Sequence, residues 1–551
     1  MKKIIECVPN FSEGRNKDII KQITDAIESV HGVKLLHVDM GAATNRTVVT
    51  FAGGEEEVVE AAFRAVKKAS ELIDMRLHKG EHPRQGATDV CPFIPISNAT
   101  MEDCIRCAHK LGKRVGEELG IPVYLYEEAA TAPHRKNLAS IRAGEYEGFP
   151  QKIKLPEWQP DYGPAVFNEK SGNLITGARK ILIAYNVNLN TTSVRRANSV
   201  AFDVREQGRK VKNEKGEEVH QPGWCKAVKA IGWYIEEYGI AQVSMNLTDL
   251  EQTPLHIAFD ACVKSAYERG LRVTGSELVG LVPLKSLLDA GKYFLEKQRR
   301  SAGVSESELI RIAIKSLGLD ELAPFKPEER IIEYVLRNKD QKKLAALPLS
   351  SFADEVSSES PAPGGGSVAA YVGALGASLG AMVANLSANK KGWDERWQYF
   401  SNWAIKGQWL KDQLLNCVDE DTEAFNEVMK AFSLPQKNEE EKTQRAKAIE
   451  QATRKAALTP LRVMELAVQS YELIKEMAEK GNPNSISDAG VGAACIHAAV
   501  TGAYLNVKIN LPGMEDENFK KDVLQKADKL FEQSSVQLKL VLDLVNRAMS
   551  L

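Results

Sequence analysis

The chain has 551 residues, of which 43% are hydrophobic and 26% are charged. This composition is typical of globular proteins, and the length predicts roughly three to four domains at ~150 residues each. The formal net charge is −2. Without a global basic excess, the sequence gives no support for a nucleic-acid-binding protein or a protein of anionic membrane surfaces.

The cysteines and the N-terminus indicate the compartment. Eight cysteines are scattered along the chain, which favours free thiols in a reducing compartment over a disulfide scaffold. Cys104 and Cys107 form a CxxC pair, but the pair lies in a helical pattern without a second pair, so we expect no metal site. The first residues contain no signal-peptide core.

The first part of the chain predicts a split βαβ unit of ferredoxin-like type. Strand and helix patterns alternate in the order β-α-β-β-α-β. They cover Lys2–Val8, Asp18–Val30, Val33–Val38, Arg46–Ala52, Glu55–Ile73 and Asp89–Ile96. A further helix over Met101–Leu119 and a strand over Pro122–Tyr126 extend the unit.

The same order returns in the next part of the chain. The predicted elements are Arg179–Asn186, Thr191–Glu206, Ala227–Glu236, Ala241–Leu247, Pro254–Arg269 and Arg272–Leu284. We therefore predict two related α/β subdomains, 1–178 and 179–327. A cleft between such halves is a favoured ligand site. The fold by itself is equally compatible with a binding module that performs no chemistry.

Strand patterns are almost absent beyond Glu328. Residues 328–347 are predicted to be a linker, and 348–551 a separate helical domain, arranged as an antiparallel bundle. Its helical patterns cover 348–358, 367–389, 393–432, 438–479, 485–507 and 515–549. The predicted fold class is therefore α/β plus all-α.

The loop over Leu77–Val90 is rich in groups that handle protons or bind anions. His82 is a candidate general acid/base, and by pattern alone His78 has the same chance. Asn45, Arg46 and Arg84 are candidates for clamping a substrate carboxylate. The alternative is a solvated surface loop, in which Asn45 is a turn residue and the arginines are surface charges.

Three glycines, Gly364 to Gly366, precede Ser367 and open a helix. Their backbone N–H groups can face an anion at a helix N-terminus, or the segment can be a flexible N-cap. No Gly-Lys-Ser/Thr follows at P-loop spacing, so we expect no nucleotide. Small residues recur along one side of this helix, which predicts close helix packing in a bundle or dimer core over a membrane span. They are Gly373, Ala377, Gly380 and Ala384.

Asp421 lies on the apolar stripe of a long helix that also carries Asp419, Glu420 and Glu423. We expect the Asp421 carboxylate to face inward, where it is either paired structurally or used as an acid with a raised pKa. Asp488 belongs to a polar cluster at the start of another helix, and capping by the neighbouring serines does not account for it.

Several segments resemble glutamate formimidoyltransferase. They are Glu6–Gly14, Thr44–Thr47, Gly80–Arg84, Asp89–Pro95, Ile141–Glu147 and Leu278–Leu284. In the helical half, Pro361–Val368 and Val418–Asp421 resemble formimidoyltetrahydrofolate cyclodeaminase. The whole chain resembles the bifunctional formimidoyltransferase-cyclodeaminase family. The charged insert Arg209–Gly216 departs in length from the family pattern.

The resemblance implies two consecutive reactions of histidine degradation. A formimino group passes from N-formimino-L-glutamate to N5 of tetrahydrofolate, and the product then cyclises to 5,10-methenyltetrahydrofolate with release of ammonia. It also implies a polyglutamylated folate co-substrate and no metal. Bacterial members work in the cytoplasm, which is the location we expect here, whereas vertebrate members associate with the Golgi. The small-residue helix face and the two linked sites predict a homo-oligomer, and the helix composition predicts no membrane span. In the alternative reading, the helical half is only an oligomerisation or partner-binding module.

The resemblance also places site residues. The catalytic residue of the transferase falls on His82, and that of the cyclodeaminase falls on Asp421. From the chemistry of a histidine that moves protons, we expect Asp39 or Glu81 to orient the His82 ring. Gly364, Gly365, Gly366, Ser367 and Asp488 are candidate folate contacts in the helical half. The first folate segment is Gly163, Pro164, Ala165, Val166, Phe167, Asn168, Glu169, Lys170, Ser171 and Gly172. The second is Gly223, Trp224, Cys225, Lys226, Ala227, Val228, Lys229, Ala230, Ile231 and Gly232.

Overall fold

The computed structural model describes residues 3–42, 45–80, 83–213, 215–336, 344–512 and 514–549. The chain forms two compact units. Unit 1 contains residues 1–290 and 314–337, and unit 2 contains residues 291–313 and 338–551. Unit 1 holds the sheets, and unit 2 is helical, so the predicted fold class is confirmed.

The first subdomain is built on a seven-stranded sheet. Its elements are β1 (Ile4–Cys7), β2 (Asn10–Phe11), α1 (Lys17–Glu28), β3 (Lys34–Gly41), β4 (Arg46–Gly53), α2 (Glu55–Leu72), β5 (Thr88–Ser97), α3 (Met101–Leu119), β6 (Val123–Glu127), α4 (Leu138–Arg142), α5 (Glu145–Lys152) and β7 (Leu174–Ala178). Both β1 and β2 pair with β4 and β5, so the order is β3, β4, β1/β2, β5, β7, β6. The first four positions reproduce the ferredoxin-like order.

Strand β7 is the element that the sequence pattern misses. It inserts between β5 and β6 and runs parallel to both. All five of its residues are buried. A strand that is buried on both faces shows no alternation of polar and apolar residues, and this one lies in a segment rich in proline and glycine.

Helices α1, α2 and α3 cover one face of the sheet because their apolar residues recur at helical spacing. The Asn16 side chain accepts hydrogen bonds from the first turn of α1, and Thr100 and Asp103 form a capping box at the start of α3. Below the helices lies a core that includes Ile23, Phe51 and Phe93. On the other face, Val90, Tyr124 and Ile175 pack against α4 and α5.

The second subdomain repeats this arrangement. Its elements are β8 (Ile183–Leu189), α6 (Val194–Val204), β9 (Arg209–Lys212), β10 (Glu218–Gln221), β11 (Val228–Ile235), β12 (Ile240–Leu247), α7 (Leu255–Tyr267) and β13 (Val273–Val279). The sheet order is β11, β12, β8, β13, which matches β3, β4, β1/β2, β5 position by position. The charged insert forms a separate two-stranded hairpin, β9–β10.

Four helices follow: α8 (Leu284–Lys297), α9 (Glu306–Leu317), α10 (Pro327–Arg330) and α11 (Ile332–Leu336). Residues 291–313 group with the helical unit, which differs from the predicted extent of the second subdomain, 179–327. Contacts around Gly303 explain the difference. The Asn385 side chain donates a hydrogen bond to the Gly303 carbonyl at 2.8 Å. Because Gly303 packs directly on the backbone of Ala404, a side chain there would collide with it.

Unit 2 is a bundle of long helices, and each of the six lies within a few residues of its predicted range. They are α12 (Leu349–Val356), α13 (Gly365–Ala388), α14 (Trp397–Phe432), α15 (Glu439–Lys480), α16 (Ile486–Asn510) and α17 (Glu517–Met549). The glycines and alanines of α13 are buried against α14, α15 and α16, as close helix packing requires. Among the described residues, α13 and the segment 483–510 are long and apolar enough to span a membrane, and 61% and 44% of their apolar windows are buried within the protein.

Gly376 tests this packing, because a Cβ there would lie 2.9 Å from the Gly492 carbonyl oxygen of α16. We expect Gly376→Ala to lower the free energy of unfolding by about 1–3 kcal/mol through overpacking. Ser378→Ala, two residues along the same helix, is the matched control and should change it by less than about 0.5 kcal/mol. Urea unfolding followed by far-UV circular dichroism measures both. Equal midpoints for the two variants would contradict the packing described here.

Candidate functional site

A groove of about 1020 Å³ lies between the two subdomains of unit 1. Its charged and amide lining residues are Asn10, Arg46, Glu127, Glu128, Asn137, Arg142, Glu145, Arg179, Lys180, Lys229 and Asp249. Positive side chains outnumber negative ones only slightly, but several of the acids are already paired. Lys180 binds Asp249 at 2.7 Å, and Glu145 binds a buried arginine outside the lining. The groove is therefore suited to an anionic ligand.

Strand register explains why Asn10 and Arg46 point into the groove. Asn10 of β2 pairs with Val90 of β5, and Val90 itself lines the groove. Residues that are directly paired across neighbouring strands project from the same face of a sheet. Arg46 is two residues from Val48, the partner of Asn10 on β4, so it lies on the same face.

Arg84 is the central contact of the loop that precedes β5. Its guanidinium is 7% exposed. It donates to Glu145 at 2.9 Å and to both carboxylate oxygens of Glu147, at 2.7 and 2.9 Å. The two glutamates, and above all Glu147, hold the pKa of Arg84 above its usual range. All three nitrogens of the Arg84 guanidinium thus donate hydrogen bonds within the protein and join the loop to α5. The prediction that Arg84 clamps a substrate carboxylate is therefore wrong.

His78 is also held by Arg84, and this contact fixes its tautomer. Arg84 Nε lies 3.2 Å from His78 Nδ1, and a guanidinium can only donate. Nδ1 is therefore the acceptor, and the protonated Nε2 donates to the Asn45 carbonyl at 2.8 Å. Burial lowers the pKa of His78, and the nearby Arg84 charge lowers it further. His78 is a neutral structural residue with both nitrogens engaged.

Asn45 joins two loops and is not free to bind a ligand. Its side-chain oxygen accepts from the Gly14 N–H, and its amide nitrogen donates to the Lys79 carbonyl, both at 3.0 Å. Its φ of 48° is in the left-handed region, where asparagine is one of the few tolerated side chains. The Asn45 part of the predicted carboxylate clamp is therefore corrected to a turn-forming role.

The predicted catalytic residue His82 and its neighbour Glu81 lie outside the described residues. Pro83, the next residue in the chain, lines the groove. Asp39, predicted to orient His82, lies exposed on β3, the edge strand of the sheet, and its charge acts on Arg46. Arg46 is half-buried in the groove wall, and its predicted role at a substrate carboxylate stays a prediction.

The two predicted folate segments differ in their placement. Among the described lining residues of the groove, none comes from 163–172. That segment braces the loop before β5, where the Ser171 carbonyl accepts from the Ala87 N–H at 2.9 Å and Gly172 packs on the Gln85 carbonyl. Of the second segment, Lys229 lines the groove, and β11 turns Lys229 and Ile231 outward while it buries Val228 and Ala230.

Asp421, on α14, is partly buried and packs against the N-terminal turn of α13, so its carboxylate faces inward as its place on the apolar stripe predicts. Ser367 Oγ lies 3.0 Å from Asp421 Oδ2 and 3.0 Å from the Val418 carbonyl. Gly366 packs against the carboxylate so closely that any Cβ would overlap it. Burial raises the pKa of the Asp421 carboxyl, and the Ser367 hydrogen bonds oppose this shift. The arrangement suits a carboxylic acid that donates a proton.

The other residues that were predicted for the helical site do not all lie beside Asp421. Ser367 is fully buried and turned towards α14, so its predicted role as a folate contact is corrected to that of a hydrogen-bond partner of Asp421. Gly366 is likewise buried, while Gly364 and Gly365 are partly or fully accessible. Asn506 lies beside Gly365. Asp488 precedes Asn506 on α16 by eighteen residues, or about 27 Å of helix, so within one chain it does not join the glycine turn.

The neighbouring acids have structural partners or face solvent. Asp419 accepts from the Leu344 N–H at 2.7 Å, and Glu420 pairs with Arg462 at 3.1 Å. Glu423 is exposed. Asp421 is therefore the acid of this cluster that combines burial with a hydrogen-bonded serine.

The described part of the chain contains no group of three or more His, Cys, Asp or Glu side chains that could hold a metal ion. The CxxC pair lies on the buried face of α3. Burial raises the pKa of both thiols, to about 12 for Cys107. Both side chains thus act as small core residues.

Comparisons with known proteins agree across the whole chain. The family model described as "Formiminotransferase domain, N-terminal subdomain" matches residues 4–179, "Formiminotransferase domain" matches 184–337, and "Formiminotransferase-cyclodeaminase" matches 348–529. The chain is 45% identical over 548 residues to the formimidoyltransferase-cyclodeaminase of Gallus gallus, covering 99% of both chains. It is 46% identical over 543 residues to the namesake protein of Mus musculus, covering 98% of both. The glutamate formimidoyltransferase of Streptococcus pyogenes serotype M1 is 43% identical over 296 residues, which are 54% of this chain and 94% of that protein.

The raised pKa of the Asp421 carboxyl implies that the free energy of unfolding depends on pH. The folded state holds this proton more tightly than the unfolded chain does, so the ionised carboxylate weakens the fold above the folded pKa. This weakening disappears as pH falls through the folded pKa towards the unfolded value. We therefore expect Asp421→Asn to raise the urea midpoint at about pH 8, with the gain shrinking as the pH is lowered. A midpoint at or below that of the unsubstituted chain at that pH would contradict the burial.

Proposed function

The chain belongs to the formimidoyltransferase-cyclodeaminase family, and we propose that it handles protons with two separate side chains, His82 and Asp421. The protein is a folate-dependent bifunctional enzyme. It transfers the formimino group of N-formimino-L-glutamate to N5 of tetrahydrofolate and cyclises the product to 5,10-methenyltetrahydrofolate with release of ammonia. Polyglutamylated tetrahydrofolate is the proposed form of the co-substrate.

The transfer step needs one group that can both accept and donate a proton. N5 of tetrahydrofolate attacks the formimino carbon and gives a tetrahedral centre. The bond from this carbon to the glutamate nitrogen then breaks, and that nitrogen leaves as a protonated amine. His82 can take the proton from N5 and deliver one to the leaving nitrogen, because a histidine titrates near neutral pH.

The structure around the loop supports His82 over His78 for this role. His78 uses Nδ1 as an acceptor for Arg84 and Nε2 as a donor to Asn45, so neither nitrogen is available to a substrate. Pro83 lines the large groove between the subdomains. The contacts of Arg84 with Glu145 and Glu147 anchor the C-terminal end of this loop. Rigid anchoring favours catalysis by reducing the freedom of the reacting groups.

The positive residues at the far wall of the groove support binding of the folate tail. Lys229 comes from β11, and it has no ion pair among the described residues. Lys180, in contrast, is neutralised by Asp249 and Glu251. We assign Lys229, together with the exposed Lys226 on the same segment, to the attraction of the polyglutamate tail.

The cyclisation step is intramolecular, so much of the barrier is lowered by orientation of the substrate. N10 attacks the formimino carbon bound to N5, and the carbon–nitrogen bond to the former imino nitrogen breaks. That nitrogen must receive a proton to leave as ammonia. The single observation that supports Asp421 as the donor is its burial against Gly366, which keeps the acid form populated at higher pH than for a solvated aspartate.

Paired substitutions separate the two steps. We expect His82→Ala to lower the transfer rate by about 10²- to 10⁴-fold and to leave cyclisation of added 5-formiminotetrahydrofolate unchanged. Asp421→Asn should have the converse effect. His31→Ala, an exposed histidine between α1 and β3, is the matched control and should change neither rate. Steady-state assays of each half-reaction measure the three variants.

Two outcomes would contradict these roles. Normal transfer in the His82→Ala variant would remove the first assignment, and normal cyclisation in the Asp421→Asn variant would remove the second. If no chain, including the unsubstituted one, cyclises 5-formiminotetrahydrofolate, the alternative holds, in which the helical half is only an oligomerisation or partner-binding module.

We also propose that the protein is a cytoplasmic homo-oligomer. Its eight cysteines are free thiols, which agrees with a reducing compartment. The helical unit exposes apolar side chains on α13 and α16, which pack side by side. We name these residues the α13–α16 patch: Leu375, Met382, Leu386, Val491, Leu505 and Ile509, which are 37% to 77% exposed. Such a patch is typical of a surface that another copy covers.

Sedimentation equilibrium tests the oligomer. We expect a mass that is a multiple of 60.7 kDa, and a lower multiple after Leu375→Asp, because a buried charge opposes association. Leu458→Asp is the matched control, since Leu458 on α15 is 45% exposed and Leu375 is 43% exposed. A mass of one chain without any substitution, or a loss of mass only with the control, would count against the α13–α16 patch.

A further inference from the structure

One wall of the groove carries polar atoms that the folded chain leaves unsatisfied. Within the described residues, Asn10 Oδ1, Arg46 Nε and Arg142 Nε are buried and have no hydrogen-bond partner. All three side chains line the groove, and Asn10 is 4% exposed. Buried polar groups are almost always paired, so three such atoms around one cavity point to a ligand that pairs them.

We propose that Arg46 and Arg142 bind the α-carboxylate of N-formimino-L-glutamate and that Asn10 accepts a hydrogen bond from the adjacent N–H. This inference rests on the proposed function, and it assigns one part of one substrate to three residues. The unsatisfied atoms are two charged donors and one neutral acceptor. The substrate carries the matching groups on a single carbon atom, because its α-carbon bears both a carboxylate and the nitrogen that is cleaved.

The two guanidinium groups are placed for an anion. Arg46 makes no hydrogen bond or ion pair with its side chain among the described residues. Burial lowers the pKa of Arg46, and repulsion by Arg142 lowers it further. Asp89, which pairs with Arg142, and Asp39 offset part of this repulsion, and an anion between the two guanidinium groups would offset the rest. Charge-assisted hydrogen bonds from arginine to a carboxylate are among the strong ones in proteins.

Arg142 is held in position before any ligand binds. Its Nη2 pairs with Asp89, which is 1% exposed and also accepts from the Gln85 N–H at 2.9 Å. The segment that carries Arg142 is fixed by Lys152, whose Nζ donates to the carbonyls of Ser140, Ile141 and Ala143 at 2.7 to 3.0 Å. A donor that is already oriented loses little entropy on binding.

The position of this subsite favours the substrate carboxylate over the tail of the folate. Arg46 follows Asn45, which donates to the Lys79 carbonyl and accepts from His78, so Arg46 is tied to the loop that contains His82. The α-carboxylate of N-formimino-L-glutamate is two bonds from the nitrogen that leaves. The glutamate of tetrahydrofolate, in contrast, is separated from N5 by the whole aminobenzoyl group.

Product inhibition tests the assignment in the full-length enzyme. We expect Arg46→Gln and Arg142→Lys to raise the inhibition constant of L-glutamate and the KM of N-formimino-L-glutamate by about 10- to 100-fold each, the effect of losing a hydrogen bond to a charged group. The KM of tetrahydrofolate should stay within about twofold. Lys180→Gln is the matched control, since Lys180 lines the same groove but is paired with Asp249 and Glu251. It should leave all three constants unchanged.

A second inhibitor identifies the carboxylate. 4-Aminobutyrate is glutamate without its α-carboxylate, so we expect it to inhibit weakly and equally in the unsubstituted enzyme and in the Arg46→Gln variant. The inference is overturned if the KM of tetrahydrofolate rises in place of that of N-formimino-L-glutamate, or if neither changes. It is also overturned if 4-aminobutyrate loses as much affinity as glutamate does. Failure of the proposed function is a distinct result, because the unsubstituted chain would then transfer no formimino group.

Discussion

The buried guanidinium of Arg84 is the contact on which the first site depends. It joins two parts of unit 1: the loop before β5 through His78, and the start of α5 through Glu145 and Glu147. Because the arginine can only donate, it also fixes His78 as a neutral ring that donates to Asn45. The loop is thereby tied to the turn that carries Arg46. Removing the two glutamates would leave the buried guanidinium without its charged partners, which favours this arrangement.

Both sites use burial to change the chemistry of a charged group. In the groove, burial and a neighbouring arginine lower the pKa of Arg46. In the helical unit, burial beside Gly366 raises the pKa of Asp421. The charged form of each group is costly to the folded state, so Arg46 is stabilised by a bound anion and Asp421 holds a proton that it can donate.

The sequence predicted the fold well where the signal was local, and the site less well where contacts cross the chain. The duplicated βαββαβ order and the six helices of the bundle follow from periodicity, and the inward direction of Asp421 follows from its helical stripe. Strand β7 was missed because it is buried on both faces. The contacts that occupy Arg84 and Asn45 could not be predicted because their partners, such as Glu147, lie up to 63 residues away in the chain. The unsatisfied atoms of Asn10 and Arg142 have no sequence signal, since they depend on what the fold leaves unpaired.

Two separate proton-handling sites in one chain are the central claim, and mixing two defective variants tests it most directly. The measurement is the formation of 5,10-methenyltetrahydrofolate and ammonia from N-formimino-L-glutamate and tetrahydrofolate. His82→Ala or Asp421→Asn alone should form product at least about 10²-fold more slowly than the unsubstituted chain. Their mixture should form product much faster, with 5-formiminotetrahydrofolate as the intermediate that passes between them. Product from either variant alone at the normal rate, or none from the mixture, would contradict it.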